Sequence, residues 1–188
     1  MNTINLIYNK LCNTPSDINE HLSVLSEYSS KCEHVTEFGA RYGCSTFALL
    51  NGRPNKFISY DLNSNSNIEQ AIELSKIEGI DFTFKIGNVL KLEIEETDLL
   101  FIDTLHRYGQ LKEELRLHAN KVKKYLIFHD TESFEFKDEP NYYGNTLPIT
   151  TNTGLWPAIE EFLNENSNWL LLKRYKNNNG LTILEKIK

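Results

Sequence analysis

The sequence predicts one α/β domain: an open, mostly parallel β-sheet with helices on both faces and an antiparallel hairpin at its carboxyl end. Three observations carry this. Strand-like and helix-like segments alternate five times up to residue 128, the pattern of parallel strands joined by crossover helices. The run Asp98-Leu99-Leu100-Phe101-Ile102-Asp103 is continuously apolar between its acids, as a strand covered on both faces must be. Two further strand-like runs, 169–175 and 181–185, are joined by Lys176-Asn177-Asn178-Asn179-Gly180, where Asn-Gly favours a tight hairpin.

The elements follow in order. Thr14-Pro15-Ser16-Asp17 reads as a helix start with Ser16 or Asp17 as N-cap, and Ile18, Leu22, Leu25 and Tyr28 repeat at helical spacing. This gives an N-terminal helical segment within residues 1–33, ahead of a core spanning 34–188. Strands are expected at 34–38, 56–60, 82–86, 98–102 and 125–128. Helices are expected at 45–50, at 68–77 with Gly79 as its stop, through Tyr108, Leu111, Leu115 and Val122, and at 156–164. Residues 131–153 break the alternation. They are polar, contain Pro140, Gly144 and Pro148, and are long enough to suggest a functional loop.

With 188 residues, the chain is expected to form a single domain able to bury a core. Its net charge of −6 argues against nucleic acid as the main partner. Cys12, Cys32 and Cys44 are odd in number and form no C-x-x-C pair, which excludes a disulfide scaffold or zinc knuckle and fits a reducing cytoplasm. Neither a signal peptide nor a run long enough to span a bilayer is visible. A cytoplasmic protein with no membrane partner is therefore expected.

Ligands of open α/β sheets bind beyond the carboxyl ends of the strands. After the first strand stands Glu37-Phe38-Gly39-Ala40-Arg41-Tyr42-Gly43-Cys44-Ser45-Thr46. Gly39 and Gly43 allow a sharp turn and close approach to a ligand. Ser45 and Thr46 open the next helix, where free N–H groups point outward. Glu37 could accept hydrogen bonds from an ammonium group. Asp61 follows the second strand, about 20 residues on, where an acid can bind two ribose hydroxyls. Asn88 follows the third strand and could read an adenine edge. Asp103 and His106 follow the fourth strand, and His129 and Asp130 end the fifth. His21, His34 and His118 are expected to be structural hydrogen-bonders, and Cys44 a packing residue.

Taken together, Glu37-x-Gly39-x-x-x-Gly43-x-Ser45, Asp61, Asp103-x-x-His106-x-Tyr108 and His129-Asp130 resemble the class I S-adenosylmethionine-dependent methyltransferases. The nearest likeness is to methyltransferase family 24 and to the cephalosporin hydroxylase and macrocin O-methyltransferase proteins. The resemblance runs roughly from Val35 to Glu185 and includes the tail Gly154-Leu155-Trp156-Pro157-Ala158-Ile159-Glu160-Glu161-Phe162. It implies a Rossmann-like, seven-stranded sheet whose last strand is antiparallel. It also implies that Glu37, Gly39, Ala40, Gly43 and Ser45 surround the methionine part of S-adenosylmethionine. Asp61 would hold the ribose, Asn88 would lie near the adenine, and Asp103 would border the cofactor. Asp103 and Asp130 match positions that hold a divalent metal in metal-dependent relatives. Two departures stand out: Leu105 where relatives often carry an acid, and Lys123-Lys124 where Gly-Gly is common.

Methyl transfer from a sulfonium is an in-line displacement that requires an aligned, activated acceptor. One route has Mg²⁺ or another divalent cation on Asp103 and Asp130, with His129 completing a softer site. The other has His106 or His129 as general base. The expected acceptor is a small-molecule hydroxyl, such as that of a sugar, contacting residues 131–153, and a homodimer is the default assembly. Two rival readings stand beside this one. A non-catalytic S-adenosylmethionine-binding protein would explain Leu105. An NAD-linked oxidoreductase is disfavoured by the absence of G-x-G-x-x-G and by the terminal hairpin.

Overall fold

Seven strands in the order β3-β2-β1-β4-β5-β7-β6 make one sheet in the computed structural model, which describes residues 2–140 and 152–187. The strands β1 (His34–Phe38), β2 (Lys56–Asp61), β3 (Asp81–Ile86), β4 (Thr97–Ile102) and β5 (Val122–His129) run parallel. The hairpin β6 (Trp169–Tyr175) and β7 (Leu181–Lys186) inserts β7 antiparallel beside β5. The expected Rossmann-like sheet with its terminal hairpin is therefore present. The strand order reverses between β1 and β4, and a crevice opens at such a switch point.

The sheet is covered on both sides because its strands alternate two apolar faces. In β4, Leu99 and Phe101 join one core cluster with α2 (Leu22–Ser29), α3 (Cys44–Asn51) and α4 (Ser66–Glu78), while Leu100 and Ile102 join a second with α5 (Tyr108–His118) and α6 (Leu155–Glu165). Every residue of β4 is buried, as its unbroken apolar run requires. The opposed clusters fix the strand ends, and hence the site, as one rigid edge.

The N-terminal region departs from expectation. A helix absent from the sequence reading, α1 (Thr3–Cys12), begins at Asn2, whose side chain accepts from Asn5 N, and buries Ile4. The next helix starts at Leu22 after a 3-10 turn, Asn19–His21, so neither Ser16 nor Asp17 caps it. Those residues are used elsewhere: the Ser16 carbonyl accepts from the Asn178 amide, and the Asp17 carboxylate pairs with Arg41. Val122, read as helical, instead opens β5. Lys123 and Lys124 consequently lie within the strand and pair with Glu96 and Asp98.

The β6–β7 turn is tied to two other segments. Asn178 Oδ1 accepts from Glu20 N at 3.0 Å, and the Asn179 carbonyl accepts from Glu132 N at 2.8 Å and Ser133 N at 3.0 Å. Gly180 has φ +94°, and a Cβ there would lie 2.5 Å from Glu132 N. Gly180 thus lets the turn press against the residues that follow β5. Gly180→Ala is expected to lower stability by about 2–4 kcal/mol through backbone strain and overpacking. Urea denaturation measures this, and a loss below about 0.5 kcal/mol would show that the turn is not clamped as described.

Candidate active site

A cleft of about 680 Å³ lies at the carboxyl ends of the parallel strands, bordered by Gly39, Asp61, Asn88 and Asp103 together with Thr104, His106, Gln110 and Glu139. Four of the expected cofactor residues therefore border one cleft. Glu37, Ala40, Gly43 and Ser45 do not border it. Glu37 is wholly buried beneath the loop, where Oε2 accepts from Thr46 Oγ1 at 2.8 Å and Ser59 Oγ at 2.6 Å. Its Oε1 is buried without a partner, and burial pushes its pKa up to about 7. Direct contact of Glu37 with an ammonium group is thus not available in this arrangement, because the side chain is buried against Thr46 of α3 and Ser59 of β2.

The glycine loop is shaped by the protein's own backbone. Gly39 has φ +86°, and a Cβ there would sit 1.9 Å from the Asp103 carbonyl oxygen. The close approach that requires glycine is therefore to β4, not to a ligand. Asp61 then stitches the loop to β2: its Oδ2 accepts from Ala40 N at 2.9 Å and Arg41 N at 2.8 Å, and its Oδ1 from Leu62 N at 2.6 Å. Oδ1 also accepts from Asn63 N at 3.3 Å, so the four lone-pair sites already face backbone donors and ribose hydroxyls would share them. Asn88 Oδ1 accepts from Leu90 N at 2.9 Å, capping the 3-10 turn Val89–Lys91. This leaves the Asn88 amide as a donor.

Acids and imidazoles meet at the ends of β4 and β5. His106 Nε2 lies 3.2 Å from Asp103 Oδ1 and 2.9 Å from Asp130 Oδ2, while its Nδ1 lies 3.0 Å from Glu139 Oε2. The His106 ring stacks on Phe134 with centroids 4.8 Å apart. His129 Nδ1 lies 3.4 Å from Asp103 Oδ2 and 3.5 Å from Asp130 Oδ2, but neither His129 ring nitrogen makes a hydrogen bond, although both are buried. Asp130 reaches the cluster with φ +59°, a backbone conformation that costs a non-glycine residue energy and recurs at functional sites.

The charges explain the proton positions. Burial alone would discharge each group, yet the hydrogen bonds that His106 donates to Asp103, Asp130 and Glu139 push it up to about 12. For His129, burial again opposes protonation, but the charge of Asp103 prevails and raises it to about 10. Asp103 and Asp130 are held below their usual range by the two imidazoles against the opposing effect of burial. With three carboxylates facing it, His106 is an imidazolium here and offers no lone pair. The expected general-base role for His106 or His129 thus requires a charge arrangement other than this one.

The remaining expectations are met in part. His21, His34 and His118 each bond a main-chain carbonyl through one ring nitrogen, as structural histidines do. Burial raises the Cys44 pKa, the opposite of an activated thiol. Residues 131–140 return to the site through Phe134 and Glu139, while Tyr142, Tyr143, Gly144 and Pro148 lie outside the described residues. The sequence reading missed Glu139, Phe134, Gln110 and Glu114. The i, i+4 pair Gln110–Glu114 was a readable signal, whereas nothing in local spacing links Glu139 to His106.

Asp103, His129 and Asp130 each offer one ligand atom, all within 4.8 Å of one another. Two carboxylates and an imidazole with unpartnered buried nitrogens suit a divalent cation, so the expected metal ligands fit one.

No protein-family model matches the chain, and no curated protein matches it. Solved structures do share its fold. One is the methyltransferase PaMTH1 of Podospora anserina bound to S-adenosylhomocysteine, at 14% identity and TM-score 0.60, covering 100% of this chain and 89% of that one. Another is an S-adenosylmethionine-dependent methyltransferase of Clostridium acetobutylicum, at 14% identity and TM-score 0.59, with 97% of each chain covered. A third is the O-methyltransferase TomG of Streptomyces achromogenes, involved in tomaymycin synthesis and solved with S-adenosylmethionine, at 12% identity and TM-score 0.63, covering 93% and 82%. The chain thus has the Rossmann-like fold of class I methyltransferases. Among the described residues, no helix is long and apolar enough to cross a membrane.

The cluster predicts a specific pH dependence. His129 rises from 6.5 to about 10 on folding, so its pairing stabilises the fold fully below pH 6.5 and is lost as pH approaches 10. The lowered Asp103 and Asp130 contribute above their ordinary value of 3.8 and lose that contribution as pH falls below it. With chelator present, urea stability of the wild type should therefore fall relative to His129→Gln between pH 6.5 and 10. Parallel profiles would contradict these charge assignments.

Proposed function

We propose that this protein is an S-adenosylmethionine-dependent methyltransferase that transfers a methyl group to the hydroxyl of a small-molecule acceptor. The observation that carries the reading is the convergence of Gly39, Asp61, Asn88 and Asp103 on one cleft, next to the half-buried Asp103–His106–Asp130 cluster. The shared fold of methyltransferases supports it. Within that class, Asp103-x-x-His106 and His129-Asp130 support the likeness to family 24 and the macrocin O-methyltransferases.

The cofactor would lie with its ribose at Asp61, its adenine towards Asn88 and its sulfonium towards Asp103. In the transfer, the acceptor oxygen forms a bond to the methyl carbon as the carbon–sulfur bond breaks. Its electron pair goes to sulfur and leaves S-adenosylhomocysteine, while the hydroxyl proton is lost to the protein. A divalent cation on Asp103, His129 and Asp130 would balance the carboxylates and lower the pKa of a bound hydroxyl. With the carboxylates compensated in that way, His106 would be free to shed its proton, donate its Nδ1–H to Glu139 and offer Nε2 to the hydroxyl proton. Phe134 and Glu139 fix the plane of that ring. The acceptor would contact the stretch 131–153, of which 141–151 lie outside the described residues, in a cytoplasmic protein acting without nucleic acid or membrane.

Calorimetry with S-adenosylhomocysteine, and release of that product from S-adenosylmethionine with a panel of hydroxylated acceptors, test the reading. Wild type should bind the product and turn over. Asp130→Asn should lower kcat by about 100-fold, the scale of a lost electrostatic group at the reacting centre, while product affinity stays within about threefold. Failure of wild type to bind S-adenosylhomocysteine would overturn the proposal.

A further inference from the structure

Behind Thr104 and Gln110, which border the cleft, lies a polar group that the transfer chemistry does not use. Glu114 on α5 is wholly buried, yet its Oε1 accepts from Thr104 Oγ1 at 2.7 Å and from Gln110 Nε2 at 2.6 Å. Its Oε2 is buried without a partner. Burial pushes the Glu114 pKa up to about 7, so a proton resting on Oε2 leaves Oε1 as the acceptor for both neighbours. Thr104 and Gln110 both border the cleft, and Gln110 is only 7% exposed.

This arrangement fixes the Gln110 amide. Its nitrogen is committed to Glu114, because turning the amide would set two acceptor oxygens against each other. Its carbonyl oxygen accepts from no group among the described residues and is the atom left for a ligand.

The adjoining strip at the end of β3 supplies no comparable side-chain acceptor. Asn88 Oδ1 is bonded to Leu90 N, the Asn88 carbonyl accepts from Lys91 N at 2.9 Å, and the Val89 carbonyl bonds His118 Nε2 at 2.8 Å. Asn88 therefore offers its amide N–H groups. A purine carrying an exocyclic amine needs donors for its ring nitrogens and an acceptor for the amine. The strip and Gln110 together provide that complement, whereas a 6-oxo purine would face the locked Gln110 oxygen with another acceptor.

We propose that Gln110, held in one orientation by the buried Glu114, reads the exocyclic amine of the cofactor's adenine and sets adenosyl over inosyl specificity. This rests on the S-adenosylmethionine reading above. Recognition then joins the helix after β4 to the Asn88 amide at the end of β3.

Calorimetry with S-adenosylhomocysteine and S-inosylhomocysteine tests it. Wild type should prefer the adenosyl compound by roughly 10- to 100-fold, the scale of one unmet buried hydrogen bond. Gln110→Met, close in volume, should bring the two affinities within about threefold, chiefly by weakening adenosyl binding. Glu114→Leu should narrow the gap from the other side, because the freed amide can turn and accept the 6-oxo compound. Adenosyl preference retained in Gln110→Met overturns the inference. If that variant does not fold, unchanged discrimination in Glu114→Leu overturns it, and so does a wild type that binds both compounds equally. A wild type that binds neither compound overturns the cofactor reading itself.

Discussion

Two carboxylates at the ends of adjacent parallel strands would repel each other unless something positive stood between them. Asp103 follows β4 and Asp130 follows β5, and His106 Nε2 stands within 3.2 Å of one and 2.9 Å of the other. The site depends on this charge balance. Asp103 and Asp130 stay ionised at a largely buried edge because the imidazoles compensate them, and the imidazoles stay protonated because the carboxylates surround them. Removing one partner leaves an uncompensated buried charge, which costs far more than the pair contributes.

Distant parts of the chain hold this balance in place. The Asp130 backbone sits at φ +59°, and the segment after it is pinned by the β6–β7 turn through Asn179. Arg174 adds a second restraint: it lies over the Trp156 ring at 3.9 Å and bonds Glu132 and Glu135. That segment in turn carries Phe134 and Glu139 to His106. The terminal hairpin therefore does more than complete the sheet, since its turn orients the residues that border the reacting end of the cleft.

The sheet was largely legible because its physics is local. Alternating faces, an unbroken apolar β4 and Asn179-Gly180 are visible in a few residues each. The polar strand ends at Asp61, Asn88, Asp103 and His129 were legible for the same reason. What escaped depends on tertiary closure. α1 is the exception, since Ile4, Ile7, Tyr8 and Leu11 recur at helical spacing and pack on the core, whereas Thr14-Pro15-Ser16-Asp17 carries a helix-start signal that is spent on a segment bound to Arg41 and Asn178. Glu139 meets His106 across 33 residues, a distance no periodicity spans. Glu37 was placed at the correct strand end, but its side chain is buried against Thr46 on α3 and Ser59 on β2. Register decides that outcome, and a single motif does not reveal it.

The central proposal is spatial: the cleft lined by Asn88, Asp61 and Asp103 would hold an adenosyl cofactor with its sulfur at the charged end. The most direct measurement is a crystal structure of the protein soaked with S-adenosylhomocysteine. The account predicts density with the ribose hydroxyls on Asp61 and the sulfur as the ligand atom group nearest Asp103 and His106. Ligand density elsewhere on the molecule, or in the cleft with its sulfur directed away from Asp103, would contradict it.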